Sequence, residues 1–140
     1  MPSRRADDGG WAVVLAFFAA GNLLNAAWML ASPSHWYENL PANVPASGPL
    51  NEHFVRDIGS IYLLIGVALA AAVVRRQLRL PAMLLASAFY GLHALVHVYD
   101  STRGLFEPGH WWRFDLVPIY GATLLLIWLT VRLARRERAG

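Results

Sequence analysis

The chain has 140 residues, which is enough for one domain. Hydrophobic residues make up 56% of it and charged residues only 15%, a balance that is atypical of a soluble domain and indicates a membrane protein. The formal net charge is +3, every basic residue is an arginine, and the absence of cysteine excludes disulfides, thiol chemistry, iron–sulfur clusters and cysteine-ligated zinc.

Four long apolar runs follow one another along the chain. They cover residues 11–31, 58–74, 80–99 and 116–133. Each is close to the length of about 20 residues that a helix needs to cross a bilayer, and none alternates with the period of two that a strand requires. The sequence therefore predicts an all-α fold, an integral membrane four-helix bundle that forms a single domain over residues 1–140, with the lipid bilayer as its surroundings.

The arginines are distributed unequally among the segments that connect these runs. The N-terminal tail, the 75–79 turn and the C-terminal tail, counted together with Arg132 at the end of the fourth run, hold nine of them, whereas the 32–57 and 100–115 segments hold three. The positive-inside rule predicts that the arginine-rich segments are cytoplasmic, so both termini are expected inside and the two longer segments outside. Because the arginines flank apolar runs, membrane topology explains them and no nucleic-acid partner is expected.

Polar residues occur in the outer half of the first two predicted spans. Asn22 and Asn25 are three residues apart within the first run, which places them on one helix face. The stretch "NEHFVRD" precedes the second run and contains His53 and Asp57, four residues apart. A helix that begins near residue 51 would also place this second pair on one face.

The stretch "YGLHALVHVYD" ends the third run and carries the densest group of polar residues. His93, His97 and Asp100 are spaced four and three residues apart, so a helix presents them on one side. Ionisable groups inside a membrane are costly, and they usually face the interior of a bundle and partner one another. We therefore expect these three residues to face a pocket within the bundle that opens to the outer side.

This residue set predicts a metal site. A helical His-x-x-x-His pair presents two imidazoles to one ion, and a carboxylate one turn away can bind the ion or orient an imidazole. The predicted ligands are His53, Asp57, His93, His97 and Asp100, and without sulfur ligands they suit a divalent copper, zinc or iron ion. Six further residues are candidates to line the pocket: Asn22, Asn25, Tyr62, Tyr90, His110 and Asp115.

Other functions remain open at the level of sequence. The histidines and aspartates could form a hydrogen-bond network that holds helix ends together in an accessory subunit of a larger membrane complex or in a homo-oligomer. Haem b bound between histidines of two helices is a third possibility. No nucleophile paired with a base is apparent, so no catalytic residue is assigned and enzymatic activity is left undecided.

The stretches "SGPLNEHFVRDIGSIYLLIGVAL" and "YGLHALVHVYD" resemble segments of small bacterial four-span membrane proteins, which are DoxX-like in size and layout. The resemblance covers about half of the chain and depends mainly on "HFVRD" and "HALVHVYD". It implies a four-helix bundle in the bacterial inner membrane. It implies no activity and no assigned site residue.

Overall fold

The prediction of an all-α fold is confirmed by a computed structural model, which describes the backbone of residues 3–139 and the side chains of residues 9–138. This part of the chain contains no strand and five α-helices. The helices are α1 (Ser3–Ala31), α2 (Pro33–Asn39), α3 (Glu52–Val74), α4 (Arg79–Thr102) and α5 (Ala122–Ala139), and a π-helix over Trp111–Gly121 leads directly into α5. The tail charges of the topology prediction, Arg4, Arg5, Asp7 and Asp8, lie outside the described side chains.

Four helical segments in the described residues are long and apolar enough to cross a membrane. They are Gly9–Ala31, Glu52–Val74, Arg76–Thr102 and Trp111–Arg138, and each contains one of the predicted runs. Many outward side chains are large and apolar: Phe17 is 72% exposed and Val117 is 77% exposed. Apolar exposure along whole helices suits contact with lipid rather than water. The fold is therefore compatible with a multi-pass membrane protein.

The chain divides into two compact units. The first comprises the residues up to Pro33 together with residues 51–82, so it contains α1 and α3. Gly59 approaches Met29 and Gly66 approaches Leu23, which shows that these two helices run antiparallel. A Cβ atom placed on Gly66 would lie 2.8 Å from two side-chain atoms of Leu23. The absence of a side chain at this position lets the helix backbones approach closely.

The second unit comprises residues 34–50 and residues 83 onward, so it contains most of α4, the π-helix and α5. The hydroxyls of Ser87 and Thr130 lie 2.7 Å apart, and the Thr123 hydroxyl donates to the carbonyl oxygen of Tyr90 at 3.2 Å. These pairs show that α4 and α5 also run antiparallel. Hydrogen bonds of these hydroxyls stabilise the pairing of the two helices. In a membrane, apolar side chains contact lipid about as favourably as they contact another helix, so apolar contact alone stabilises the pairing little.

The beginning of the last membrane helix differs from the expected one. The sequence places Pro118 near the start of an apolar helix, whereas the helical segment begins at Trp111 and Pro118 lies inside its π-helical part. A proline inside an α-helix removes a backbone donor and its ring clashes with the carbonyl four residues earlier. The wider π-helical turn accommodates that clash. π-helical segments are rare, but those that occur are often found at functional sites. This segment carries Asp115.

Candidate functional site: an aspartate between two histidines

The second unit contains a buried carboxylate that two imidazoles approach. Asp115 is 1% exposed, and its Oδ1 atom lies 3.1 Å from Nδ1 of His97 and 3.8 Å from Nε2 of His110. His97 comes from the C-terminal part of α4, whereas His110 directly precedes the π-helix that carries Asp115. The antiparallel packing of α4 against the last helix thus brings together residues that are 18 positions apart in sequence.

A row of aromatic rings encloses these imidazoles. Phe106 stacks on His110 with ring centroids 4.1 Å apart and lies 6.2 Å from the ring of His97. The ring of His93 makes an edge contact with the ring of His97 at 4.7 Å, and Phe114 contacts His110 at 4.9 Å. Apolar walls of this kind exclude water and strengthen the electrostatic interactions inside them.

Two buried polar atoms at this centre make no hydrogen bond to the described residues. They are Oδ2 of Asp115 and Nδ1 of His97, although the latter lies 3.1 Å from Oδ1 of Asp115. A buried polar atom without a partner costs about 1–3 kcal/mol, and more when it is charged. The centre is therefore arranged to receive something further, either protons or a cation.

A tight turn positions His110. The His110 N–H donates to the carbonyl oxygen of Glu107 at 3.1 Å, which closes a four-residue turn with Pro108 and Gly109 at its corners. Gly109 has a φ of 94°, a value that the third position of a type II turn requires and that glycine adopts without strain. A Cβ on Gly109 would also lie 2.8 Å from the indole nitrogen of Trp112. The sequence "EPGH" thus holds His110 at the start of the helix.

The predicted ligands His53 and Asp57 belong to the first unit, on the first turns of α3. Their side chains lie 3.5 Å apart, so the expected pairing along the helix is present. The side chains are 89% and 60% exposed, respectively. This pair therefore lacks the burial that distinguishes the centre at Asp115.

Asp100 follows His97 on α4, but it has a different partner. Its Oδ1 atom accepts a hydrogen bond at 2.9 Å from Nε of Arg103, so the pair links two positions of the same helix end. The sequence predicted that Asp100 binds a metal ion together with the histidines of α4 or orients their rings. The described side chains instead pair Asp100 with Arg103. Asp115, which the sequence suggested only as pocket lining, takes that place.

The remaining candidate lining residues lie on both units. Asn22 is buried on α1 and its side-chain amide donates to the carbonyl oxygen of Phe18 at 2.8 Å, while the amide of Asn25 lies 3.6 Å from the sulfur of Met29. Tyr62 is partly buried on α3, in the same unit. Tyr90, on α4 of the second unit, contributes its backbone carbonyl to the bond from Thr123.

The arrangement is not that of a formed metal site. Among the residues whose side chains are described, no group of three or more histidine, aspartate and glutamate side chains is placed so that it could hold a metal ion. The atoms that come nearest to this condition are those of His97, His110 and Asp115. As they stand, these groups can share protons and form an ion pair when an imidazole is protonated.

Comparison with known protein families, with curated proteins and with solved structures finds no match to this chain. The resemblance to DoxX-like proteins therefore stays a prediction.

Proposed function

We propose that this protein is a multi-pass protein of the bacterial inner membrane that binds a divalent transition-metal ion at a centre made by His97, His110 and Asp115. Both termini lie in the cytoplasm, so the centre lies in the outer half of the membrane. The observation that carries the proposal is the approach of two imidazole nitrogens to one oxygen of a buried carboxylate. Copper, zinc and iron are the candidate ions because the ligands are imidazole and carboxylate.

The distances between the prospective ligand atoms support this proposal. In a tetrahedral site with bonds of about 2.0–2.1 Å, neighbouring ligand atoms are about 3.3 Å apart. The observed separations from Asp115 Oδ1 are 3.1 Å to His97 and 3.8 Å to His110, on either side of that value. Small rotations of the two rings are needed so that both nitrogens face one point, because no such point exists in the described arrangement.

Burial supports the proposal on energetic grounds. A carboxylate that is 1% exposed needs a positive partner, and its Oδ2 atom has no hydrogen bond in the described residues. A divalent cation would supply this positive charge while both imidazoles stay neutral, and the centre would then carry a net charge of about +1. His93, in contact with His97, would then orient that ring or supply a further nitrogen.

A hydrogen-bond network without metal is the second candidate, and one observation favours it. The separation of 3.1 Å between His97 and Asp115 is already that of a close ion pair, so a protonated imidazole could neutralise the carboxylate alone. The centre would then hold α4 against the last helix, as expected of an accessory subunit in a membrane complex. Haem is not proposed, because the two imidazole nitrogens approach the same oxygen of a buried carboxylate instead of facing each other across an apolar space.

Metal content of the purified protein tests the proposal. The protein is prepared in detergent, treated with a chelator, incubated separately with zinc, copper(II) and iron(II), and freed of unbound ion before elemental analysis. The variants are His97→Ala and His110→Ala, with His53→Ala as the matched control because that histidine is 89% exposed and belongs to the other unit.

We expect about one ion per chain in the parent and in His53→Ala, and a loss of most of it in the two other variants. An ion present at 100 times its dissociation constant should also stabilise the parent by about 2.7 kcal/mol. If the parent retains none of the three ions, the metal proposal is wrong and the network remains. If His53→Ala loses the ion instead, the site lies at the sequence-predicted pair on α3.

A further inference from the structure

A cavity beside the proposed centre is not explained by metal binding. It has a volume of about 310 Å³ and lies within the second unit, between the 43–46 segment and the start of the π-helix. Its main lining residues are Asn43, Leu105, Glu107, His110, Arg113 and Phe114. Small-molecule sites typically occupy cavities of 300 Å³ and more that combine apolar walls with a few polar groups, and this cavity lies at the lower end of that range.

Two opposite charges line the cavity without pairing with each other. No carboxylate among the described residues lies within ion-pair distance of the Arg113 guanidinium, whose contact is the ring of Trp112 at 5.6 Å. Glu107 likewise has no cationic partner among the described side chains. A cavity that offers one cation and one anion suits a ligand that carries both charges and has no net charge.

A buried imidazole and apolar walls complete the lining. The His110 side chain is 5% exposed, its Nε2 atom lies 3.8 Å from Asp115 Oδ1, and its ring nitrogens make no hydrogen bond to a described residue. This buried group therefore has donor capacity for an anion in the cavity. Leu105 and Phe114 supply apolar surface next to it.

We propose that this cavity binds a small zwitterion with an apolar side chain, such as a free aliphatic amino acid. The ligand carboxylate lies between Arg113 and His110, its ammonium group faces Glu107, and its side chain packs on Leu105 and Phe114. An arginine guanidinium matches a carboxylate with two parallel hydrogen bonds, which makes Arg113 the main anchor. The inference does not depend on a bound metal, although both sites use His110.

Binding of L-leucine and two truncated analogues tests the proposal. The analogues are 4-methylpentanoate, which lacks the ammonium group, and 3-methylbutylamine, which lacks the carboxylate. Dissociation constants are measured by equilibrium binding to detergent-purified full-length protein that has been treated with a chelator. The variants are Arg113→Gln and Glu107→Gln, with Arg103→Gln as the control because Arg103 pairs with Asp100 and does not line the cavity.

We expect leucine to bind the parent at least about tenfold more tightly than either analogue, because each charge-assisted hydrogen bond is worth about one to two factors of ten. Arg113→Gln should weaken the binding of leucine by about tenfold or more and leave the affinity for 3-methylbutylamine unchanged. Glu107→Gln should weaken the binding of leucine and leave the affinity for 4-methylpentanoate unchanged. The control, Arg103→Gln, should bind leucine as tightly as the parent does.

Two results would overturn the inference: no saturable leucine binding by the parent, or unchanged leucine affinity in Arg113→Gln. His97→Ala separates this inference from the metal proposal, since His97 does not line the cavity. That variant should keep leucine binding and lose the metal. A parent that binds the metal but shows no saturable leucine binding would show that the zwitterion inference fails while the metal proposal stands.

Discussion

Replacing Asp115 by asparagine should reveal how strongly the buried carboxylate stabilises the second unit. The substitution keeps the shape of the side chain and removes its charge. Asp115 is 1% exposed and faces His97 at 3.1 Å, and removal of one partner from a buried ion pair costs about 3–5 kcal/mol. We expect Asp115→Asn to lower the free energy of unfolding of the metal-free protein by about 3 kcal/mol, the low end of that range, because His97 is 21% exposed and carries a charge only when it is protonated.

Asp100→Asn is the matched control for this prediction. It removes the same charge from an aspartate that is also paired, but the Arg103 side chain that pairs with Asp100 is 52% exposed. Exposed pairs contribute about 0–1 kcal/mol, so the control should change stability by no more than about 1 kcal/mol. Reversible unfolding in mixed micelles, followed by circular dichroism, measures both variants.

A double-mutant cycle separates the pair from general damage to the helix. His97→Phe combined with Asp115→Asn should cost clearly less than the sum of the two single variants, because each already removes the same interaction. Equal destabilisation by Asp115→Asn and Asp100→Asn, or additive effects of His97→Phe and Asp115→Asn, would contradict the assignment of this centre.

Two further predictions concern packing and topology. Gly66→Ala should destabilise the protein by about 1–3 kcal/mol, since the new Cβ would lie 2.8 Å from Leu23. Gly91→Ala is the control, because nothing lies within 4 Å of a Cβ at that position, and it should be neutral or stabilise the protein by up to about 1 kcal/mol. The same unfolding assay compares them, and similar losses would show that close approach at Gly66 is unimportant. Because the chain has no cysteine, Ser47→Cys and Gln77→Cys each create a unique thiol. A membrane-impermeant maleimide should label the first in intact cells and the second only after permeabilisation, and the reverse pattern would invert the predicted orientation.

The all-α fold and the four helices that are long and apolar enough to span a membrane follow from the sequence alone. Both are consequences of local properties: an apolar run of about 20 residues satisfies its backbone in lipid only as a helix. The contact between His93 and His97 is likewise local, because residues four apart on a helix are neighbours. The same local rule accounts for the pairing of His53 with Asp57.

The partners of the histidines on α4 were decided by tertiary structure. Sequence spacing favoured Asp100, yet that carboxylate lies against Arg103, and the distant Asp115 lies against His97. Spacing along one helix cannot show how the next helix is rotated, and here Asp115 lies in a π-helical segment, Trp111–Gly121, that the sequence did not predict. The type II turn at Gly109 then sets where His110 enters. Local periodicity therefore determined the helices, whereas their rotation and the turn between them determined which charges meet.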